Sequence, residues 1–143
     1  MQAEEADTPA ECFSRRRAGV LLHITSLPGK GTCGDLGSES ARFVDFLTSC
    51  GLSVWQTLPV GPTGDDGSPY QSSSVHAGNP RMISLEHVLE KGWLQGYPLD
   101  EENLSEQGKQ VGLLLSWDGF KERTTPEDHR ALAGFIAENS YWL

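Results

Sequence analysis

The first ordered element that the hydrophobic pattern predicts begins at Gly19. Val20, Leu21, Leu22, His23 and Ile24 follow one another without strict alternation, the pattern of a strand buried on both faces. A loop over 28–37 comes next, and then Phe43, Phe46, Leu47 and Cys50 recur at the i, i+3, i+4, i+7 spacing of one helix face. Ser38 is placed to cap that helix, Glu39 stands in its first turn and Gly51 stops it. A second apolar run, Leu52 to Leu58, ends at Pro59, so the order is strand, helix, strand within about 40 residues, the length of a right-handed βαβ unit with parallel strands.

The segment 61–80, GPTGDDGSPYQSSSVHAGNP, is rich in Gly, Pro, Ser, Asn and Asp and predicts a long loop after the second strand. In parallel α/β proteins ligand sites collect at that edge of the sheet. Ser84 can cap a short helix carrying Leu85, Val88 and Leu89, stopped near Gly92, whereas residues 95–110 are polar and predict irregular backbone. Thr125, Pro126 and Asp128 fit the N-cap, N1 and N3 positions of a last helix striped by Leu132, Phe135, Ile136 and Leu143, with no stop signal before the end. Two parallel strands with open edges and a helix cut within its stripe lead to the expectation of a truncated N-terminal portion of a larger α/β enzyme.

Residues 1–18 hold four acids, Arg15, Arg16 and Arg17 in a row, and few bulky apolar side chains; they are expected to form a flexible arm ahead of a domain spanning 19–143. Composition narrows the partners. Hydrophobic residues make up 37% of the 143, enough for a packed core, and the net charge of −9 makes the chain a poor match for a nucleic-acid backbone. No apolar run approaches the roughly 20 residues of a membrane helix, so a cytoplasmic protein with no membrane partner is expected. Cys12, Cys33 and Cys50 show no CxxC spacing, which implies neither a disulfide framework nor a zinc site.

Several constellations fail on spacing. Gly29, Gly31 and Gly34 spell GxGxxG, but the helix should begin at the third glycine rather than four residues later, and no acid ends the second strand to hold a ribose. Asp65 and Asp66 fit turn chemistry better than a calcium or acid/base pair. His23, His76, His87 and His129 lie far apart with no i, i+4 pair, so no metal is expected, and nothing in the spacing joins His23, Ser26 and Asp35 into a triad. Ser68-Pro69-Tyr70-Gln71 differs: it offers a hydroxyl, a phenol ring and an amide on the ligand edge. A sugar needs a flat surface for its C–H face and neutral hydrogen-bonding groups for its hydroxyls.

Five segments in order, GVLLHITSLPGKGTCGDLG, RFVDFL, SVWQTLPVGPTG, SPYQSSS and HAGNPRMISLEHVLEKGWL, closely resemble the amino-terminal third of bacterial 4-α-glucanotransferases, the amylomaltases or disproportionating enzymes of glycoside hydrolase family 77. The resemblance covers residues 17–94 and, more weakly, 113–143. It implies an α/β fold that is the N-terminal portion of a (β/α)₈ TIM barrel with helical insertions, a cytoplasmic location and no cofactor. The implied activity is transfer of an α-1,4-glucan segment between maltooligosaccharides by an Asp nucleophile, a Glu acid/base and a further Asp. Those carboxylates belong to motifs beyond residue 143, so no catalytic residue is assigned. The family's SPYQ tyrosine lines the donor sugar pocket, a role that maps onto Tyr70 with Ser68 beside it. Many members carry an aromatic side chain at a secondary glucan contact where Asp65 stands here. The alternative to an enzyme portion is a non-catalytic α-glucan-binding or interaction module.

Overall fold

The structure is a computed structural model that describes residues 14–64 and 66–143. The expected arm therefore lies outside the described residues up to position 13; residues 14–18 form no regular element. Strands β1 (Gly19–Leu21) and β2 (Val54–Gln56) pair in parallel, with Gly19 opposite Val54, Val20 opposite Trp55 and Leu21 opposite Gln56. Helix α1 (Ser38–Ser49) connects them, so the strand–helix–strand order expected from the periodicity is present.

Both strands are shorter than their apolar runs. After the Leu22 N–H donates to the Gln56 carbonyl at 3.0 Å, the chain turns into a 3-10 turn over Ile24–Ser26. The turn carries Ile24 and Leu27 off the sheet and into a core with Met82, where Leu22, Phe43 and Trp55 pack against them. The expectation of a strand buried on both faces is corrected here. Val20 and Trp55 share one side of the pair, which α1 covers: the Phe43 and Trp55 rings meet edge to face at 5.0 Å. Leu21 and Val54 lie on the other side, which no element among the described residues covers, and both are exposed.

Gly37, rather than Ser38, is the N-cap of α1. A Cβ at position 37 would fall 2.6 Å from the Ser84 hydroxyl, so only glycine fits, and the Ser38 hydroxyl donates to Glu86 at 3.0 Å instead. Gly51 ends the helix as expected, at φ +70°, where a side chain is strained. Helix α2 (Leu85–Glu90) follows Ser84. Its Leu85 and Val88 form a second core with Leu94, surrounded by Trp93, Tyr97, Leu104 and Leu113 among others.

Helix α3 (Glu106–Arg123) begins inside the segment expected to be irregular, with the Ser105 hydroxyl accepting from the Gly108 N–H at 3.1 Å. Its orientation inverts the usual rule. The buried positions are Lys109, Gly112, Ser116 and Gly119, whereas Val111, Leu114, Leu115 and Trp117 are exposed. Glycines on this face let the helix sit close: a Cβ at Gly112 would lie 3.0 Å from the Leu85 side chain, and one at Gly119 only 1.7 Å from the Trp93 backbone carbonyl oxygen. Helix α4 (Pro126–Asn139) opens with the expected capping box between Thr125 and Asp128. Thr125 donates to the Asp128 carboxylate from its hydroxyl at 2.7 Å and from its backbone, which holds that carboxyl below its ordinary range. The continuation to Leu143 is corrected. The helix ends at Asn139, whose side chain accepts the Trp142 indole N–H at 2.8 Å, and none of its stripe is buried among the described residues.

Gly119→Ala is expected to destabilise the protein by about 1–3 kcal/mol, the range of overpacking, because backbone stands where the methyl must go. Gly134→Ala, at an α4 position with nothing within 4 Å, should instead stabilise it by roughly 0.5–1 kcal/mol. Thermal melting of the two variants checks the contrast; equal effects would contradict the close packing of α3.

Candidate functional site

Both loops that leave the C-terminal ends of the strands gather on one edge. The loop after β2 is closed twice. The Asn79 N–H donates to the Val60 carbonyl at 2.9 Å, and Thr63 and Ser72 form an antiparallel bridge. Inside both closures the chain folds through two turns. Gly67 takes a φ of +68°, which an L side chain rarely adopts, and its N–H donates to the Gly64 carbonyl at 3.0 Å. The Asp66 carboxylate then accepts the Ser68 N–H at 3.1 Å, so Asp66 has the turn role expected of it, while Asp65 lies outside the described residues. The second turn runs from Ser68 to Gln71, closed by the Gln71 N–H on the Ser68 carbonyl at 3.2 Å, with Pro69 at its first corner.

That turn fixes Tyr70 at the next corner. Its side chain does not fill the loop: Tyr70 is 74% exposed, whereas Ser68 and Pro69 are half-buried. The hydroxyl has no hydrogen-bond partner among the described residues. Ser68 and Tyr70 are thus brought onto one turn, the ring and phenol presented outward.

A cleft of about 900 Å³ lies beside this loop, and neither Ser68 nor Tyr70 lines it. Its walls are the loop after β1, the start of α1, Pro62 and Thr63, Asn79 to Arg81, the start of α2 and the start of α3. Its charges are cross-paired: Lys109 with Asp35 at 2.8 Å, Arg81 with Glu106, Arg42 with Glu39 at 2.6 Å and Lys30 with Glu86 at 4.0 Å. Sequence reasoning did not single out Arg81, Glu106 or Lys109. The available signal was the i, i+3 spacing of Glu106 and Lys109, which only acquires meaning once the segment is known to be helical.

The discarded constellations stay apart. Gly29, Gly31 and Gly34 line the cleft, and α1 starts four residues beyond Gly34. Asp35 is engaged by Lys109 rather than by a histidine, and Ser26 is exposed, so His23, Ser26 and Asp35 form no triad. His76 stacks on Trp142 at 5.6 Å, and His129 meets Phe120 edge to face at 5.8 Å. Among the described residues no three His, Cys, Asp or Glu side chains converge where a metal could sit. No helix among them is long and apolar enough to cross a membrane. His23, just past the end of β1, has a buried Nδ1 without a partner among the described residues, and burial pushes its pKa below the ordinary 6.5.

A family model described as 4-alpha-glucanotransferase matches residues 22–143. The chain belongs to the 4-alpha-glucanotransferase family. It is 41% identical over 137 residues to the 4-alpha-glucanotransferase of Thermus thermophilus, covering 90% of this chain and 27% of that protein. The Aquifex aeolicus enzyme of the same description is 42% identical over 138 residues, again 90% of this chain and 27% of the relative. The chloroplastic/amyloplastic 4-alpha-glucanotransferase of Arabidopsis thaliana is 46% identical over 98 residues, 66% of this chain and 17% of that one. Among solved structures, an amylomaltase from Streptococcus agalactiae in complex with acarbose superposes with a TM-score of 0.75 at 31% identity, covering 89% of this chain and 28% of its own. The chain thus spans about a quarter of the length of these bacterial relatives.

The lowered pKa of His23 sets a pH dependence. The folded state resists protonation while the unfolded chain takes up a proton near 6.5, so this contribution to stability is complete above that pH and is lost as pH falls through the folded value. Melting temperatures of the parent and His23→Gln should therefore differ by a constant amount above pH 7, and the parent should fall relative to the variant on acidification from 6.5 towards 5. Curves parallel throughout would remove His23 as the cause.

Proposed function

We propose that residues 19–143 are the N-terminal portion of a (β/α)₈ barrel with helical insertions, and that they serve a 4-alpha-glucanotransferase. In this reading the enzyme transfers a segment of an α-1,4-glucan to an acceptor glucan or glucose with retention. Ser68 and Tyr70 bind the donor sugar, and the location is cytoplasmic. Family membership supports the activity, and the Streptococcus agalactiae relative's complex with acarbose supports a glucan-like ligand. The observation that carries the site assignment is the outward ring of Tyr70, set by two turns at the ligand edge of a parallel strand pair. Its face can lie against sugar C–H groups while its phenol and the Ser68 hydroxyl exchange hydrogen bonds with sugar hydroxyls. These are recognition groups. Retaining transfer also needs a carboxylate nucleophile and a carboxylic acid/base placed across the scissile bond, chemistry assigned here to the remaining length of the family.

The test is a chimera in which this chain replaces the matching quarter of the Thermus thermophilus enzyme, assayed for disproportionation of maltotriose. Turnover by the chimera and none by the isolated chain is the expected result; an inactive but folded chimera would overturn the proposal. Within it, Tyr70→Phe removes one hydrogen bond to an uncharged donor, worth about 0.5–1.5 kcal/mol, and should lower kcat and kcat/KM together by about threefold to tenfold. Tyr70→Ala should cost more activity, yet shift stability by no more than about 0.5 kcal/mol, because the ring is exposed. A large loss of melting temperature in Tyr70→Ala beside an active Tyr70→Phe would make the residue a packing element instead.

A further inference from the structure

Helix α3 touches both site loops through side chains of one face near its start. Glu106 and Lys109, three residues apart, lie one above the other on a helix. The Lys109 ammonium reaches Asp35 at 2.8 Å, in the loop after β1, and Glu106 pairs with Arg81, in the loop after β2. The two loops also meet directly beside these pairs, where the Leu36 N–H donates to the Met82 carbonyl at 2.9 Å. Asp35 precedes Leu36 and Arg81 precedes Met82, so one turn of α3 grips the residues next to the only backbone hydrogen bond between the two loops among the described residues.

The arrangement extends to the sugar turn. A Cβ at Gly67 would lie 3.8 Å from an Arg81 guanidinium nitrogen, which places Arg81 against the residue just before Ser68. The Lys109–Asp35 pair is also drier than an ordinary surface pair, its side chains only 11% and 27% exposed. An exposed pair holds little, but a partly buried charge that loses its partner is strongly unfavourable, which makes such a pair select one geometry. We infer that Glu106 and Lys109 are positioning residues: with Arg81 and Asp35 they clasp the two loops together and hold the Ser68–Tyr70 turn in its sugar-binding position. The sugar-binding half of this inference rests on the function proposed above; the clasp itself does not.

The test uses the chain as it stands and reads two independent quantities, amide hydrogen exchange and affinity for maltoheptaose. Lys109→Met should accelerate exchange at Leu36 by about tenfold or more while leaving unchanged Leu22, bonded to Gln56, and Cys50, bonded to Phe46. It should also weaken maltoheptaose binding by about threefold or more, and Lys109→Arg should restore both. Glu106→Gln, at a more exposed partner, gives the same contrast if Lys109→Met does not fold. Acceleration that is equal at Leu22, Leu36 and Cys50, or none at Leu36, overturns the clasp. A parent chain that binds no maltoheptaose overturns the sugar assignment of Tyr70, and the exchange contrast then decides the clasp alone.

Discussion

The close approach of α3 to the segment around Leu85 and Trp93 is the constraint from which the rest of the architecture follows. Gly112 and Gly119 present no side chain, so the helix settles closely against the Leu85 side chain and, at Gly119, against the Trp93 carbonyl at a distance no larger residue permits. That depth buries Lys109 and brings its ammonium to Asp35, across a gap that a helix held farther out would leave to water. Arg123, near the other end of the same helix, donates to the Gly92 and Trp93 carbonyls at 3.0 Å each, tying α3 to the residues just past the end of α2.

The core has two parts with different tasks. Ile24, Leu27 and Met82 join the loop after β1 to the turn that ends the loop after β2, so burial itself fixes the spacing of the two loops. Leu85, Val88 and Leu94 join α2 to the chain beyond it and give α3 its seat. The cleft adjoins the second part, where Leu85, Leu104 and Leu113 line it, and its charged side chains are paired with one another rather than left open. Tyr70 remains outside both clusters. Its position is set by backbone turns around Gly67 and Pro69 rather than by packing, which leaves its ring available.

How much was legible in the chain depends on whether local rules or distant neighbours decided the outcome. Residues 38–51 announced a helix because Phe43 and Leu47 recur on one face and Gly51 can take a positive φ; Thr125, Pro126 and Asp128 announced another through a capping box that needs nothing beyond four residues. The loop over 61–80 was equally local, announced by its Gly, Pro, Ser, Asn and Asp, and the sugar-binding candidates came from it. Helix α3 escaped because periodicity arguments assume that apolar residues face inward, and here the inward face is Lys109, Gly112, Ser116 and Gly119.

By itself, then, the chain determined the strand–helix–strand order, its parallel connection, the loop that carries Tyr70 and the ordered motifs that mark its family, since each rests on residues within a few positions of one another or on their succession. Tertiary structure alone decided which residue caps α1, because the obstacle at position 37 is Ser84, 47 positions away. It also decided where β1 ends, because Ile24 leaves the sheet to meet Met82, and how Asp35 and Arg81 acquire partners on α3. Those outcomes depend on distances between segments far apart in the chain, which no local pattern encodes.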